Sequence, residues 1–192
     1  MVITTLGNCQ IMALCKYIRI LKPEADAKFC NVFQVHEWPR SPQFGDQVDH
    51  VISDTHEQKR RLIDSDFVLY QAMTPKRAGD KQFTQAGLRE TNQQNATQRQ
   101  LSITSFRLKD DERADTFEGM LTREHKNNTD IRATDIINKH PGLVKSMGNP
   151  DGNHPNVFYF LEVMREICTR WDWDYYSDEQ YQELLEQGYP FG

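Results

Sequence analysis

The chain is poor in cysteine, in basic clusters and in long apolar runs, and each shortage excludes a class of protein. Its four cysteines, Cys9, Cys15, Cys30 and Cys168, form no CxxC pair and no other metal-ligand spacing, so we expect neither a metal site nor a disulfide framework. Lys and Arg total 23 against 28 Asp and Glu, which argues against a nucleic-acid partner. No stretch approaches the ~18 apolar residues of a membrane span, and no secretion signal is recognisable. We therefore expect a soluble, cytoplasmic protein.

The pattern of apolar residues predicts a single α/β domain over 1–192. With 192 residues, 38% of them apolar, the chain can bury one sizeable core. Strands alternating with helices indicate a mostly parallel sheet flanked by helices. Strands are predicted at 2–6, 29–36, 48–53, 66–71 and 101–106, and helices at 9–22, 56–63, 130–139 and 155–168. The polar region at about 74–130 is expected to be an insertion or loop region, exposed over 109–130.

Gly7 and Cys9 mark a turn between the first predicted strand and the first predicted helix. The Cys9 sulfur is then expected at the carboxyl end of the sheet, where α/β proteins usually bind ligands. A helix N-terminus also presents free backbone N–H groups and a positive partial charge, which favour a thiolate and an oxyanion. The alternative is a plain strand-to-helix turn capped by Asn8, with Cys9 as a small apolar side chain like the other three cysteines.

A second motif, Asp151-Gly152-Asn153-His154-Pro155, precedes a long apolar helix. His154 can take the proton of a nucleophile, and Asp151 can fix the ring tautomer and stabilise the imidazolium that forms. Taken alone, the segment is more typical of an ordinary glycine-containing loop. Together with the Cys9 turn, it predicts a nucleophile, base and orienter formed by Cys9, His154 and Asp151.

These motifs resemble the blocks of a known superfamily. Gly7-Asn8-Cys9-Gln10 stands where SGNH (GDSL-type) hydrolases have Gly-Asp-Ser, and Asp-x-x-His-Pro-Asn at 151–156 looks like their final block. A Gly-Asn-Cys-Gln start, a Ser65-Asp66 strand that ends in Gln71, and a late His-Pro pair are more closely similar to the WcbI-like polysaccharide-biosynthesis family. About ten positions, spread over most of the chain, carry this resemblance.

The resemblance implies a three-layer, flavodoxin-like SGNH fold and an acyltransferase that uses acetyl- or acyl-coenzyme A. The acceptor it implies is a saccharide hydroxyl in capsule polysaccharide biosynthesis. Gln71 stands in the place of the SGNH oxyanion asparagine, and the backbone N–H groups of Cys9 and Gln10, with Gly7 and Asn8 beside them, complete the expected oxyanion site. Lys76 and Arg77 are candidate contacts for the cofactor phosphates, although a solvated loop is the simpler interpretation.

The chain departs from the SGNH pattern, and the departures leave other functions open. It has no Gly-x-Asn-Asp block, the aspartate before the nucleophile is Asn8, and no middle glycine block is recognisable. A thiol esterase would use the same residues with water as the acceptor. A noncatalytic coenzyme A binding module would keep the cleft without turnover. Cys9 is either a covalent nucleophile or a neighbour of an acceptor hydroxyl that His154 activates, and the sequence leaves both routes open.

Overall fold

The structure is a computed structural model that describes residues 1–31, 51–52, 54–72, 93–104, 117–140 and 155–188. The strands in these ranges are β1 (Val2–Gly7), β2 (Asp26–Asn31), β3 (Val51–Ile52), β4 (Phe67–Gln71) and β5 (Arg99–Ile103). The helices are α1 (Cys9–Leu21), α2 (Thr55–Asp64), α3 (Phe117–Lys126), α4 (Ala133–Lys139), α5 (Val157–Trp171) and α6 (Asp178–Gln187). None of these helices combines the length and the apolarity that crossing a membrane requires.

The five strands form one sheet in the order β3-β2-β1-β4-β5, which confirms the predicted α/β class with a parallel sheet. β1 pairs in parallel with β2 on one side and with β4 on the other, and β2 pairs in parallel with β3. The connection from β1 to β2 therefore runs one way along the sheet, and the connection from β3 to β4 runs the other way. The strand order reverses between β1 and β4, which makes their carboxyl ends a topological switch point.

Within residues 1–101, one of the two compact units of the chain, helices cover both faces of the sheet. On the face of Thr5, the Cys15 thiol of α1 hydrogen-bonds to that threonine. On the opposite face, Leu62 of α2 packs with Leu6, Cys30, Ile52, Val68 and Tyr70. Successive strand residues point to opposite faces, so these contacts place α1 and α2 on opposite sides of the sheet. The unit thus has the predicted three-layer arrangement.

At the amino edge of the sheet, Arg61 of α2 joins β1 to β2. Its guanidinium donates to the Asp26 carboxylate at 2.7 Å and to the Ile3 carbonyl at 3.2 Å, and it also contacts the Asp26 carbonyl. β2 begins at Asp26, three residues earlier than the predicted strand. Its charged side chain is stabilised at the amino end of the strand by Arg61 of α2.

The second unit, from Ser102 onward, contains α3 to α6, and in it Ile103 and Ile131 form an isolated parallel bridge. The Asp130 carboxylate accepts from Ser102 N at 2.8 Å and Ser102 Oγ at 2.7 Å, and α4 begins only at Ala133 rather than at the predicted residue 130. α6 begins with a capping box of Ser177 with Gln180. The organisation of the chain as a single domain stays a prediction.

Two expectations for this unit differ from the structure in part. Residues 109–130 were predicted to be exposed, and most of the described side chains, from 117 onward, are exposed or half-buried, but α3 buries Met120 and Glu124 completely. The Glu124 carboxylate lies inside because Thr134 donates to it from its backbone N–H at 3.3 Å and from its hydroxyl. Pro155 was predicted in the first turn of the long apolar helix, but it precedes the N-cap Asn156, whose Oδ1 accepts from Tyr159 N at 3.1 Å.

Candidate active site

The turn that carries Cys9 is built by an asparagine cap. Asn8 is the N-cap of α1 with extended backbone angles (φ −95°, ψ −169°), and its Oδ1 accepts from Gln10 N at 3.0 Å. Its carbonyl accepts from Met12 N at 3.0 Å and so begins the helical hydrogen bonding. Cys9 is consequently the first residue of the helix, as predicted, with a half-buried side chain. The Gln10 N–H group that was expected to bind an oxyanion is bonded to Asn8 instead.

Gly7 lets three elements approach one another at this turn. A Cβ atom at position 7 would lie 2.5 Å from Ile11 Cγ1 of α1 and 2.9 Å from Gln71 Cβ of β4. Real Cβ atoms do not tolerate such separations, so any larger residue would displace the helix or the strand. Gly7 therefore contributes close packing between β1, α1 and β4, a role that the expected part in oxyanion binding did not include.

Gln71 contacts the turn directly. It ends β4, and its side-chain Oε1 accepts from Asn8 N at 3.1 Å. The donor is a backbone N–H, so the amide oxygen of Gln71 faces the turn, and its NH₂ group, on the same carbon, points in a different direction. Of the residues proposed for the site, the structure thus brings together Gly7, Asn8, Cys9, Gln10 and Gln71.

Cys9 differs from the other cysteines of the chain by its exposure. Cys15, Cys30 and Cys168 are buried, with exposed fractions of 3%, 0% and 2%. Burial raises the pKa of the Cys15 thiol to about 11, partly offset by the hydrogen bond from Thr5 and by two arginines, and it raises the pKa of Cys30 to about 12. These thiols stay protonated and sheltered at neutral pH, as expected for apolar packing residues. Cys9 is the accessible thiol of the four.

Asp151, His154, Lys76 and Arg77 lie outside the described residues. The described part of the candidate site therefore consists of the Cys9 turn and of Gln71 at the end of β4, which accepts a hydrogen bond from that turn. Both lie at the carboxyl ends of β1 and β4, where the strand order reverses. Open α/β sheets bind their ligands at such a crevice, and the position of Cys9 there is independent of any motif.

A pocket, an aromatic segment and possible metal ligands are the other features of the described residues that bear on ligand binding. A pocket of the second unit is lined by side chains of α4 and α5, among them Arg132, Asp135 and Glu166, and its charges balance. Trp171 and Tyr176 are buried, and the half-buried rings of Trp173 and Tyr175 lie against them, so the aromatic side chains of 171–176 contribute to packing. Within the described ranges, no three His, Cys, Asp or Glu side chains come together as metal ligands.

Sequence reasoning missed the buried Glu124, whose partner Thr134 is ten residues away, and the bond between Gln71 and Asn8. The four-residue spacing between Met120 and Glu124 was the signal available for the burial of Glu124. The pattern of residues gives no signal for the hydrogen bond between Gln71 and Asn8, because that bond depends on β1 and β4 being neighbours.

Comparison of the chain with protein-family models and with curated proteins gives no match.

Proposed function

We propose that the protein is an acyltransferase that moves an acyl group from a coenzyme A thioester to a saccharide hydroxyl. The observation that carries this proposal is the half-buried Cys9 thiol, at the start of α1 and at the switch point of a parallel sheet. A thiol at a helix N-terminus meets backbone N–H groups and a positive partial charge, which stabilise a thiolate. The acyl donor and the saccharide acceptor come from the resemblance to the WcbI-like family.

In the covalent route, His154 takes the thiol proton and the Cys9 thiolate attacks the thioester carbonyl. The C–S bond to coenzyme A breaks, its sulfur leaves with the proton from His154, and an acyl-cysteine remains. The saccharide hydroxyl then gives its proton to His154 and attacks the acyl-cysteine, which releases the ester and the thiolate. Asp151 would hold the His154 ring through both steps. In the direct route, His154 activates the hydroxyl and Cys9 never carries the acyl group.

Oxyanion stabilisation is the step to which the neighbouring residues contribute. The candidate donors are the amide NH₂ group of Gln71, whose Oε1 contacts the turn, and the Cys9 N–H group, since Gln10 N is bonded to Asn8. One oxyanion donor is commonly worth about 10²- to 10³-fold in rate. Water must be excluded from the acyl-cysteine for transfer to exceed hydrolysis, so the acceptor has to occupy the cleft before the ester forms.

Intact-mass spectrometry after incubation with acetyl-coenzyme A tests this function. Wild type, Cys9→Ala, His154→Ala and Cys15→Ala are compared, the last as a matched control whose thiol is buried. An acetyl adduct that disappears in Cys9→Ala and persists in Cys15→Ala supports the covalent route. Product analysis with and without sugar acceptors then separates the transferase from a thiol esterase.

Calorimetric titration with coenzyme A completes the test. Binding without any adduct, together with acetylated saccharide that requires His154, supports the direct route. Binding that survives Cys9→Ala without any product would mean a noncatalytic binding module and would refute the proposal. Absence of both binding and adduct would refute it as well.

A further inference from the structure

The side-chain oxygen of Gln71 accepts a backbone hydrogen bond beyond the point where β4 ends. The paired register of β1 and β4 runs from Ile3 opposite Phe67 to Leu6 opposite Tyr70. Asn8 lies beyond this register, where β4 has already ended at Gln71, and its backbone N–H nevertheless finds an acceptor in Gln71 Oε1 at 3.1 Å. A half-buried backbone N–H at a strand end needs such a partner, since an unmade hydrogen bond is costly.

This bond belongs to a short chain of contacts that holds both sides of the nucleophile. Asn8 N donates to Gln71, and Asn8 Oδ1 accepts from Gln10 N at 3.0 Å. Cys9 lies between Asn8 and Gln10, so the residue on each side of it has a backbone N–H with a defined partner. The absence of a side chain at Gly7 brings Gln71 close enough to make the first of these contacts.

We propose that Gln71 is a positioning residue, whose side-chain oxygen anchors the Cys9 turn to β4 and thereby sets the direction of the thiol. The inference rests on the proposed function in so far as Cys9 is the reactive group. It differs from oxyanion binding because the anchor uses the oxygen of the amide, whereas an oxyanion donor would use its NH₂ group. Misplacement of a reacting group by about 1 Å can cost on the order of 10²-fold in rate.

Two substitutions separate the anchor from the donor. Gln71→Glu keeps an oxygen acceptor in the same place and removes the N–H donors, whereas Gln71→Met keeps the length and removes both. Gln182→Met, on the exposed surface of α6, is the matched control for the loss of a glutamine. Thermal unfolding of each variant reports whether the sheet as a whole is affected.

The decisive measurement is hydrogen exchange of the Asn8 backbone amide. We expect this amide to exchange about 2- to 10-fold faster in Gln71→Met than in wild type, the ratio that one net hydrogen bond supplies. In Gln71→Glu its protection is retained, because the carboxylate still accepts from Asn8 N. Unchanged exchange in Gln71→Met, or equal acceleration in both variants, would overturn the anchor.

A second measurement tests whether the hydrogen bond between Gln71 and Asn8 affects the acetylation rate of Cys9. The rate of Cys9 acetylation by acetyl-coenzyme A is divided by its limiting rate of alkylation with iodoacetamide at high pH, a reaction that forms no oxyanion. We expect the ratio to fall about tenfold or more in Gln71→Met and to stay at the wild-type value in Gln182→Met. In Gln71→Glu, which keeps the acceptor, the ratio falls less; an equal fall in both Gln71 variants would assign the effect to the NH₂ donor and refute the positioning role. A wild-type ratio in Gln71→Met would refute the positioning role. If wild type itself is not acetylated, the proposed function fails, and the exchange rates still decide whether the anchor exists.

Discussion

Replacement of Gly7 by alanine tests the close packing on which the nucleophile turn depends. The new Cβ would lie 2.5 Å from Ile11 Cγ1, 2.9 Å from Gln71 Cβ and 3.0 Å from Ile11 Cβ, so α1 must move away from β4. Overpacking of this kind costs about 1–3 kcal/mol, and loss of the hydrogen bond between Asn8 and Gln71 adds about 1 kcal/mol. We expect Gly7→Ala to lower the free energy of unfolding by about 2–4 kcal/mol in urea titration.

A double-mutant cycle with Ile11→Ala shows whether the clash is the cause. Removal of Ile11 Cγ1 costs stability by itself, but it also removes the shortest of the three contacts. The cost of the double variant is then smaller than the sum of the single costs, with a coupling of about 1 kcal/mol or more. Gly188→Ala is the contrasting control, since its φ of +73° makes it costly while no atom lies within 4 Å. An unchanged urea midpoint in Gly7→Ala, or an additive cycle, would refute the packing argument.

Further predictions concern the thiols and the helix ends. Native alkylation at pH 8, read by peptide mapping, is expected to label Cys9 and spare Cys15 and Cys30, which are buried; equal labelling would contradict their placement. The pKa of Cys30 is raised to about 12, so between pH 9 and 10 the unfolded chain loses this proton while the native chain keeps it, and stability falls as pH rises. In Cys30→Ala the fall measured by urea unfolding should be shallower by up to about 1.4 kcal/mol per pH unit; an unchanged slope would contradict the raised pKa. Asp172 ends α5 at φ 57°, so Asp172→Gly should raise the melting temperature through a gain of about 0.5–1 kcal/mol. Ser177→Ala should cost about 1 kcal/mol through loss of the α6 cap, measured in the same way.

The first half of the candidate site could be predicted because its signals are local. A β-prone run, a glycine, a capping asparagine and apolar residues at helical spacing all fall within the first 22 residues, and the structure has β1, the cap and α1 at those places. β4 and its end at Gln71 were recognisable in the same way. That the two lie side by side was expected only from the family resemblance, because the pattern of residues does not give the direction in which each connection crosses the sheet.

Sequence reasoning did not predict the features that depend on hydrogen bonds or ion pairs between residues far apart in the chain. Four of the ten residues of α3 are charged, and the burial of Glu124 becomes acceptable only through Thr134 on the next helix. Asp26 lies three residues before the predicted strand, and its carboxylate there pairs with Arg61, 35 residues later. A pattern of apolar residues predicts the secondary structure of one segment. It does not predict which distant residues become hydrogen-bond partners, because that depends on the fold.

The architecture of the turn accounts for some of its residues and leaves one without a structural reason. Packing requires glycine at position 7, capping favours asparagine at position 8, and the Asn8 N–H needs an acceptor from position 71. The first position of a helix, by contrast, accepts many residue types, and nothing in the cap or the anchor needs a thiol. Cysteine is usually a buried residue, and the other three cysteines of this chain are buried. The cap and the anchor therefore constrain positions 7, 8 and 71 and leave the residue type at position 9 open, which is the position that the proposed function uses.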